Sequence, residues 1–467
     1  MIGAAAGAPR LARTADLPAP GARVHLMGIG GAGMRGLALL LDHTGYVVSG
    51  CDRGPADALG DLTARGIRVA GAHDAAHVAG ADLLVRSSAV PVDVPEVAGA
   101  EAAGVPVLRR ARALGALLND RTLVGIAGTH GKTTITAMAG HAAAAAGIDP
   151  LVLVGGHVPA WDGFVRLGRG PAVVEADEFD RSFLELRPTV AVVSSLEAEH
   201  LDTYGDYASL RSAFAEFAER ARRAGGLIYC HDDEGARGLA EAAGFGCGYG
   251  FEKGAWCRIE ATGPRDCRFT WPDGVADITL RVPGRHNQLN AAAAFLATVQ
   301  VGGDPGAAAG GLANFRGVGR RLECLAEWPD LKVFDDYAHH PTEVAASIAA
   351  LRQAHPAARL TVVFQPHLFT RTRAFAEAFA DALAAADEAR VLPVYPAREA
   401  PILGVTASLI TGASGSAAKL IDRGAALDLV PPTCGEGEAV LVFMGAGDVT
   451  DLAHAAVQRR AGDAVGA

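Results

Sequence analysis

The apolar run Leu123-Val124-Gly125-Ile126-Ala127 passes directly into Gly128-Thr129-His130-Gly131-Lys132-Thr133-Thr134 and then into an alanine-rich helical stretch. Strand, glycine turn, Lys, then Thr opening a helix is the construction that holds a nucleotide triphosphate. The glycines let backbone N–H groups converge on phosphate oxygens, and the helix N-terminus adds partial positive charge. Lys132 reaches the outer phosphates, and the Thr133 hydroxyl suits Mg²⁺. The spacing departs from the usual G-x-x-x-x-G-K-[ST]: Ile126 stands at the first glycine position, with Gly125 and Gly128 on either side. Only four lysines occur, at 132, 253, 332 and 419, in a chain that otherwise takes its positive charge from Arg. A lysine kept in this turn points to ATP.

A chain of 467 residues, half of them hydrophobic, corresponds to about three domains of typical size. Its 58 glycines follow no fixed period, which fits a compact α/β enzyme. The formal net charge is −10 without a long basic run, so a nucleic-acid partner, which needs clustered Lys and Arg to displace counterions, is disfavoured. The seven cysteines (51, 230, 247, 257, 267, 324, 434) include no C-x-x-C pair and read as reduced, mostly buried thiols of a cytoplasmic protein. Residues 1–21 read as a disordered leader, since Pro9, Arg10, Arg13 and Asp16 break any signal-peptide core. No apolar run is long enough for a membrane span.

Three segments follow, each with its own glycine turn. In 22–118, the strand Val24–Met27 leads into Gly28-Ile29-Gly30-Gly31-Ala32-Gly33-Met34 and a helix, and a second strand, Tyr46–Cys51, ends at Asp52. Gly28, Gly30 and Gly33 fit G-x-G-x-x-G, and an acid about twenty residues on is where a Rossmann unit contacts a ribose. The strand Ala81–Val85 then delivers Ser87 and Ser88. Taken alone, this signal reads as a nicotinamide enzyme. In 119–316, strands Ala172–Val174, Val190–Val193 and Gly226–Cys230 alternate with helices, one spanning Tyr207–Ala224. A stretch from Ala242 to Val282, with runs such as Thr279–Val282, is consistent with an antiparallel edge, and Gly284–Asn290 opens another helix. In 317–467, strands Lys332–Asp336, Leu360–Phe364, Glu388–Leu392 and Ala439–Met444 again alternate with helices. The fold class is therefore α/β with three domains: Rossmann-like, P-loop ATPase-type, and a second Rossmann-like layer.

Strand ends supply acids and imidazoles. Glu175-Ala176-Asp177-Glu178 follows one strand, and Glu197-Ala198-Glu199-His200 follows another. In a parallel sheet these meet at the edge that carries the phosphate turn. Carboxylate and imidazole beside Thr133 suit a divalent cation that also takes waters and phosphates. Glu175 and His200 are the candidates, Asp177 stays open, and Glu178 and Glu199 read as solvated loop charges. In the last segment Asp335-Asp336-Tyr337-Ala338-His339-His340-Pro341 follows a strand. Adjacent histidines on a turn diverge and chelate poorly, so polar recognition of a nucleotide or substrate is the better reading. Gln365-Pro366-His367-Leu368-Phe369-Thr370-Arg371-Thr372-Arg373 leaves another strand, and its arginines suit a bidentate grip on a carboxylate.

From about residue 22 to 455 the chain resembles the Mur ligases, ATP-dependent amino-acid-adding enzymes of peptidoglycan precursor synthesis. The likeness rests on HLMGIGGAGM (25–34), GTHGKTT (128–134), EADEFDRSF (175–183), EAEHLDTY (197–204), GRHNQLN (284–290), GVGRRLE (317–323), DDYAHHPTE (335–343), QPHLFTRTR (365–373) and GAGD (445–448). The resemblance implies a domain for the UDP sugar, one for ATP and one for the incoming amino acid. It implies that Gly28, Gly30, Gly31, Gly33, Met34, Asp52, Ser87 and Ser88 serve the UDP sugar rather than NAD. It implies that Gly128, Thr129, His130, Gly131, Lys132, Thr133 and Thr134 meet ATP, together with His286, Asn287, Asn290, Arg321 and Asp336. Thr133, Glu175 and His200 would hold Mg²⁺, with Lys132, Glu175 and His200 carrying the chemistry. Tyr337, His339, His367 and Arg371 would receive the amino acid.

The last motifs favour the alanine-adding branch, with UDP-N-acetylmuramate and L-alanine as substrates, over the recycling branch that joins a ready-made tripeptide to the same sugar nucleotide. Two departures stand out. Tyr207–Arg223 contains no lysine where several Mur ligases carry a carbamylated one, and position 368 is Leu where many alanine-adding relatives have Arg. Arg371 then bears more of the carboxylate binding, with Arg373 as a neighbour. The implied reaction phosphorylates the sugar's lactyl carboxylate and lets the amine attack the acyl phosphate. No residue stands out as sole base for that amine, and oligomeric state is not legible.

Overall fold

The computed structural model describes residues 17–54, 59–397, 399–413, 418–430 and 438–465. Most of the expected leader, 1–16, lies outside the described residues. Leu17 packs against the first core, and the Pro18 carbonyl accepts from the Tyr46 hydroxyl at 2.8 Å.

Three sheets form, each from apolar runs of the kind that parallel layers bury on both faces. The first is parallel throughout, ordered Arg68–Ala70, Val47–Cys51, Arg23–Met27, Leu83–Arg86, Val107–Arg109. The crossover at Arg23–Met27 puts its glycine turn at a strand-order switch point, where open α/β sheets bind ligands. The second sheet has ten strands, and Leu123–Ala127, wholly buried, lies between Val190–Val193 and Ala172–Glu175. In-register parallel pairing sets Ile126 beside Glu175 and Ala127 beside Val193, so the phosphate turn, Glu175 and the Ser194–His200 loop leave one edge. The third sheet runs Glu323–Glu327, Leu331–Asp336, Ala439–Met444, Arg359–Phe364, Glu388–Val391, Ala418–Leu420, with only its first strand antiparallel.

Alanine-rich helices let layers approach closely. A Cβ on Gly140 would lie 2.7 Å from Val152, and one on Gly311 would lie 2.8 Å from Ala145 Cβ, so helix Lys132–Ala145 is clamped between sheet and helix Pro305–Asn314. The helix expected over Tyr207–Ala224 ends at Arg220 and tightens into a 3₁₀ turn before Gly225, whose φ of 66° stops it. The expected antiparallel edge is a hairpin of Asp266–Trp271 and Gly274–Thr279, joined by two residues, with Arg268 facing Asp277 and Asp266 facing Thr279; further in, Cys257–Ala261 pairs in parallel with Cys247–Gly250, and the last strand is Gly274–Thr279 rather than 279–282.

The described residues divide into two compact units. One comprises residues up to Glu260 with Cys267–Ile278 and Leu289–Phe315; the other comprises Ala261–Asp266, Thr279–Gln288 and the chain from Arg316 onward. The first two sheets share one hydrophobic cluster, in which Leu37 and Leu41 join Leu151, Phe183 and Phe214. All six described cysteines are free thiols, four of them buried. No helix among the described residues is long and apolar enough to cross a membrane.

Candidate active site

Gly128 (φ 134°) and Gly131 (φ 84°) both occupy backbone conformations that L side chains rarely adopt. A Cβ on Gly128 would fall 2.2 Å from Ser194 Oγ, and one on Gly131 would fall 2.7 Å from Asn290 Oδ1. Ser195 braces the turn: its carbonyl accepts from Thr129 N at 3.1 Å and its hydroxyl from His130 N at 2.9 Å. The Thr129 hydroxyl accepts from Glu197 N at 2.9 Å. Two of the expected phosphate-binding N–H groups are thus spent on the turn itself. The groups aimed outward are those at the start of helix Lys132–Ala145, where Lys132, Thr133 and Thr134 have no partner within the helix. Thr133 is half-buried, and the Thr134 side chain is buried.

Lys132 Nζ donates to the Gly128 carbonyl at 2.7 Å and to both Glu178 oxygens at 2.8 and 2.9 Å. Burial alone would lower the lysine's pKa, but Glu178, with Asp177 and Glu175, holds it above the ordinary value. Glu178 is therefore not the solvated loop charge the sequence suggested: it is 2% exposed and neutralises the phosphate-turn lysine. The chain folds back after Glu178 through Asp180 and Arg181, both at positive φ, and Tyr204 donates to the Glu178 carbonyl at 2.6 Å. Glu199, also read as solvated, is only partly exposed, 3.9 Å from His200 Nε2. Glu175 accepts from Gly155 N at 2.5 Å, and His200 Nε2 lies 3.8 Å from Glu178 Oε1 with its ring edge-on to Phe179.

In the first sheet's turn, Gly28 has φ 75° and sits against Ser87. Asp52 accepts from Gly30 N and Gly54 N, both at 2.8 Å, so the acid expected at a ribose shapes the glycine turn. Gly31 caps the helix that follows, while Met34 is buried in the core. The Ser88 hydroxyl bonds Asp180 Oδ2. Arg110, which sequence reasoning missed, lies over Gly33, 2.9 Å from where its Cβ would be, and lines a cleft with Glu175, Asp177 and Ser182. Its only signal was the arginine-rich run 109–112 after a short strand.

In the second unit, Asp336 is 3% exposed, and burial pushes its carboxyl up to about 6 against the lowering influence of Ser347 and Arg321. Burial, then Arg321, lowers His286 to about 4. Asn287 donates to the Pro283 carbonyl at 2.8 Å. Tyr337 lies under Arg321, whose guanidinium is 5.0 Å from the ring. His339 is edge-on to Tyr337 and to His367, and Arg371 is close enough to depress its pKa further after burial. His340 turns away to cap helix Pro341–Ala354, so the paired histidines do diverge. His367 stacks on Tyr395, a residue with no sequence signal, at 5.8 Å. The residues expected to receive an amino acid are thus gathered together in one unit. Leu368 holds φ 68° at the start of the helix that carries Arg371.

Comparison with known proteins comes from three family models and from individual relatives. The models match the Mur ligase family catalytic domain over residues 23–122, the Mur ligase middle domain over 126–298 and the Mur ligase glutamate ligase domain over 320–447. The UDP-N-acetylmuramate–L-alanine ligase of Paenarthrobacter aurescens is 44% identical, covering 92% of this chain and 95% of the relative. That of Kineococcus radiotolerans is 46% identical, covering 92% and 94%. Among solved structures, the UDP-N-acetylmuramate–alanine ligase of Thermotoga maritima superposes with a TM-score of 0.79 at 27% identity, covering 94% of this chain and 99% of that one.

Proposed function

Because the chain belongs to the Mur ligase family, we propose that it joins L-alanine to the lactyl carboxylate of UDP-N-acetylmuramate with conversion of ATP to ADP and phosphate. Relatives that carry this activity in their names match over more than nine-tenths of the chain. The structural observation that carries the reading is the meeting of Lys132, Thr133, Glu175 and His200 at one sheet edge, with the switch-point glycine turn in the same compact unit. A nicotinamide dehydrogenase would leave that phosphate turn and its acids without use.

We assign the glycine turn and residues 22–118 to the UDP sugar, 119–316 to ATP, and 317–467 to the amino acid. Lys132 and the first N–H groups of its helix bind phosphate oxygens and neutralise charge on the transferring phosphoryl group. Asn290, whose Oδ1 lies beside Gly131 in the same unit, belongs to nucleotide recognition in this reading. The donor set of Thr133 hydroxyl, Glu175 carboxylate and His200 imidazole, close to a buried second carboxylate, fits Mg²⁺, which supplies further charge neutralisation when bound. Arg110 offers a guanidinium fork to an anionic group of the sugar nucleotide. Arg371, close to His339, grips the alanine carboxylate in this reading. Phosphorylation supplies the leaving group that a carboxylate lacks, and alanine's neutral amine then attacks the acyl carbon. ATP and free thiols both fit a cytoplasmic setting.

A phosphate-release assay with UDP-N-acetylmuramate, varying the amino acid, tests this. Release requires L-alanine in the expected outcome. Release that needs the tripeptide instead, or oxidation of NADH without phosphate release, would overturn it.

A further inference from the structure

Away from the phosphate turn, the first sheet buries a second group of reactive side chains. Cys51 ends its strand, His73 precedes and His77 lies within the short 3₁₀ turn Ala75–Val78, and Glu96 lies in the first turn of helix Pro95–Ala103. Cys51 and Glu96 are fully buried and His25, on the neighbouring strand, is 3% exposed. Glu96 Oε1 alone faces Cys51 Sγ at 3.4 Å, His73 Nδ1 at 3.0 Å, His77 Nδ1 at 3.2 Å and Asp74 N at 2.9 Å. Glu96 Oε2 and His25 Nε2 are buried with no hydrogen-bond partner. A polar core normally matches its buried atoms one to one. Here four polar groups crowd one oxygen while its twin and a ring nitrogen go unmatched.

We propose that Cys51, His73, His77 and Glu96 form a binding site for one zinc-class divalent cation beneath the glycine turn. Zinc bonds of about 2.0–2.3 Å in a tetrahedron put neighbouring ligand atoms about 3.3–3.7 Å apart. The Cys51 Sγ to His73 Nδ1 distance is 3.5 Å, and Cys51, His73 and Glu96 offer ligand atoms all within 4.8 Å of one another. His77 Nδ1 lies 3.2 Å from the same Glu96 oxygen, and His25, whose Nδ1 is held by Ser49 at 2.9 Å, forms a second trio of ligand atoms with Cys51 and His77. Sulfur with imidazole and one carboxylate selects zinc over magnesium or calcium. A thiolate and a carboxylate balance the cation's charge, so burying the assembled site leaves no net charge unmatched. On binding, the Cys51 thiol gives its proton to solvent and each histidine presents a neutral nitrogen. The Asp74 N–H remains on the carboxylate as outer support.

The location gives the site a consequence. The Cys51 carbonyl accepts from Gly28 N at 2.9 Å and Ile29 N at 3.2 Å, and the next residue, Asp52, holds Gly30 N. A cation on Cys51 therefore pins the strand end that shapes the glycine turn.

The test uses the full chain, stripped with chelator and titrated with Co²⁺. The expected result is a thiolate-to-cobalt charge-transfer band that saturates at one equivalent, is bleached by Zn²⁺ and persists in His200→Ala. Cys51→Ser and His77→Asn should each lose it, and Zn²⁺ should raise the melting temperature of the stripped parent but not of His77→Asn. His77 is partly exposed, so its variant decides the question even if Cys51→Ser fails to fold. Absence of the band in the parent, its survival in Cys51→Ser, or a zinc-insensitive melting temperature would overturn the proposal.

Discussion

Replacing Glu178 with Gln preserves shape while removing the charge opposite Lys132. The lysine makes its shortest side-chain contacts to the two Glu178 oxygens, at 2.8 and 2.9 Å, and the carboxylate is 2% exposed. Deleting one member of a buried pair typically costs about 3–5 kcal/mol. The Gln oxygen still accepts one bond and Lys132 keeps the Gly128 carbonyl, so we expect about 2–3 kcal/mol for Glu178→Gln. Lys132→Ala removes the main partner of Glu178 and should cost a similar amount, while the double variant should cost less than the sum by about 2 kcal/mol. The assay is urea unfolding followed by tryptophan fluorescence, since Trp161, Trp256 and Trp271 all lie in the same compact unit as the pair. If the two single effects add within about 0.5 kcal/mol, the pair is not coupled and the buried-partner argument fails.

In turnover, Lys132→Ala should lose about 100- to 1000-fold at saturating ATP, and activity within threefold of the parent would remove Lys132 from its role. His200→Ala should raise the Mg²⁺ concentration needed for half-maximal activity; an unchanged dependence would make His200 structural. Arg371→Lys should raise the KM for L-alanine strongly and leave the KM for ATP nearly unchanged, because a guanidinium fork matches a carboxylate and an ammonium does not; the reverse pattern would reassign the motif to the nucleotide. Asp336 carries a folded-state value near 6 against an ordinary 3.8, so it binds its proton more tightly folded than unfolded. Its stabilising contribution is fullest below the ordinary value and is lost as pH rises through about 6, a difference of at most about 3 kcal/mol. Asp336→Asn should therefore melt higher than the parent near neutral pH, with the gap closing toward about pH 4; a pH-independent gap would refute the assignment.

What the sequence disclosed was local. The phosphate turn, the first glycine turn and the strand ends with Glu175, His200 and Asp336 are legible because each is a short run whose spacing carries its own geometry. What it hid lies between distant runs. Glu178 meets Lys132 across 46 positions, and Cys51 meets Glu96 across 45. Burial decided the first case: an acid beside two other acids reads as solvated until the fold shows which one faces inward. The same holds for Tyr395, whose partner His367 lies on a different strand end, and for Arg110, which meets Gly33 from a distant run of the chain.

These hidden contacts change how the phosphate turn works. In the turn described by its motif alone, Lys132 and the backbone N–H groups wait for phosphate. In the folded chain, the lysine is already neutralised by Glu178, and Thr129 and His130 N–H are already bound to Ser195. On the proposed reading, a triphosphate would enter by exchange rather than by filling an open shell of charge, and its net gain at Lys132 would be the difference between two ion pairs. Such exchange disfavours a lone weak anion, which cannot displace a buried carboxylate. It favours a ligand with several phosphate oxygens that engages the helix N-terminus at the same time. The left-handed residues Asp180 and Arg181 sit directly after Glu178, a backbone arrangement that costs energy to hold. The Ser88 hydroxyl bonds Asp180 Oδ2, so this strained segment also touches the loop that follows strand Leu83–Arg86.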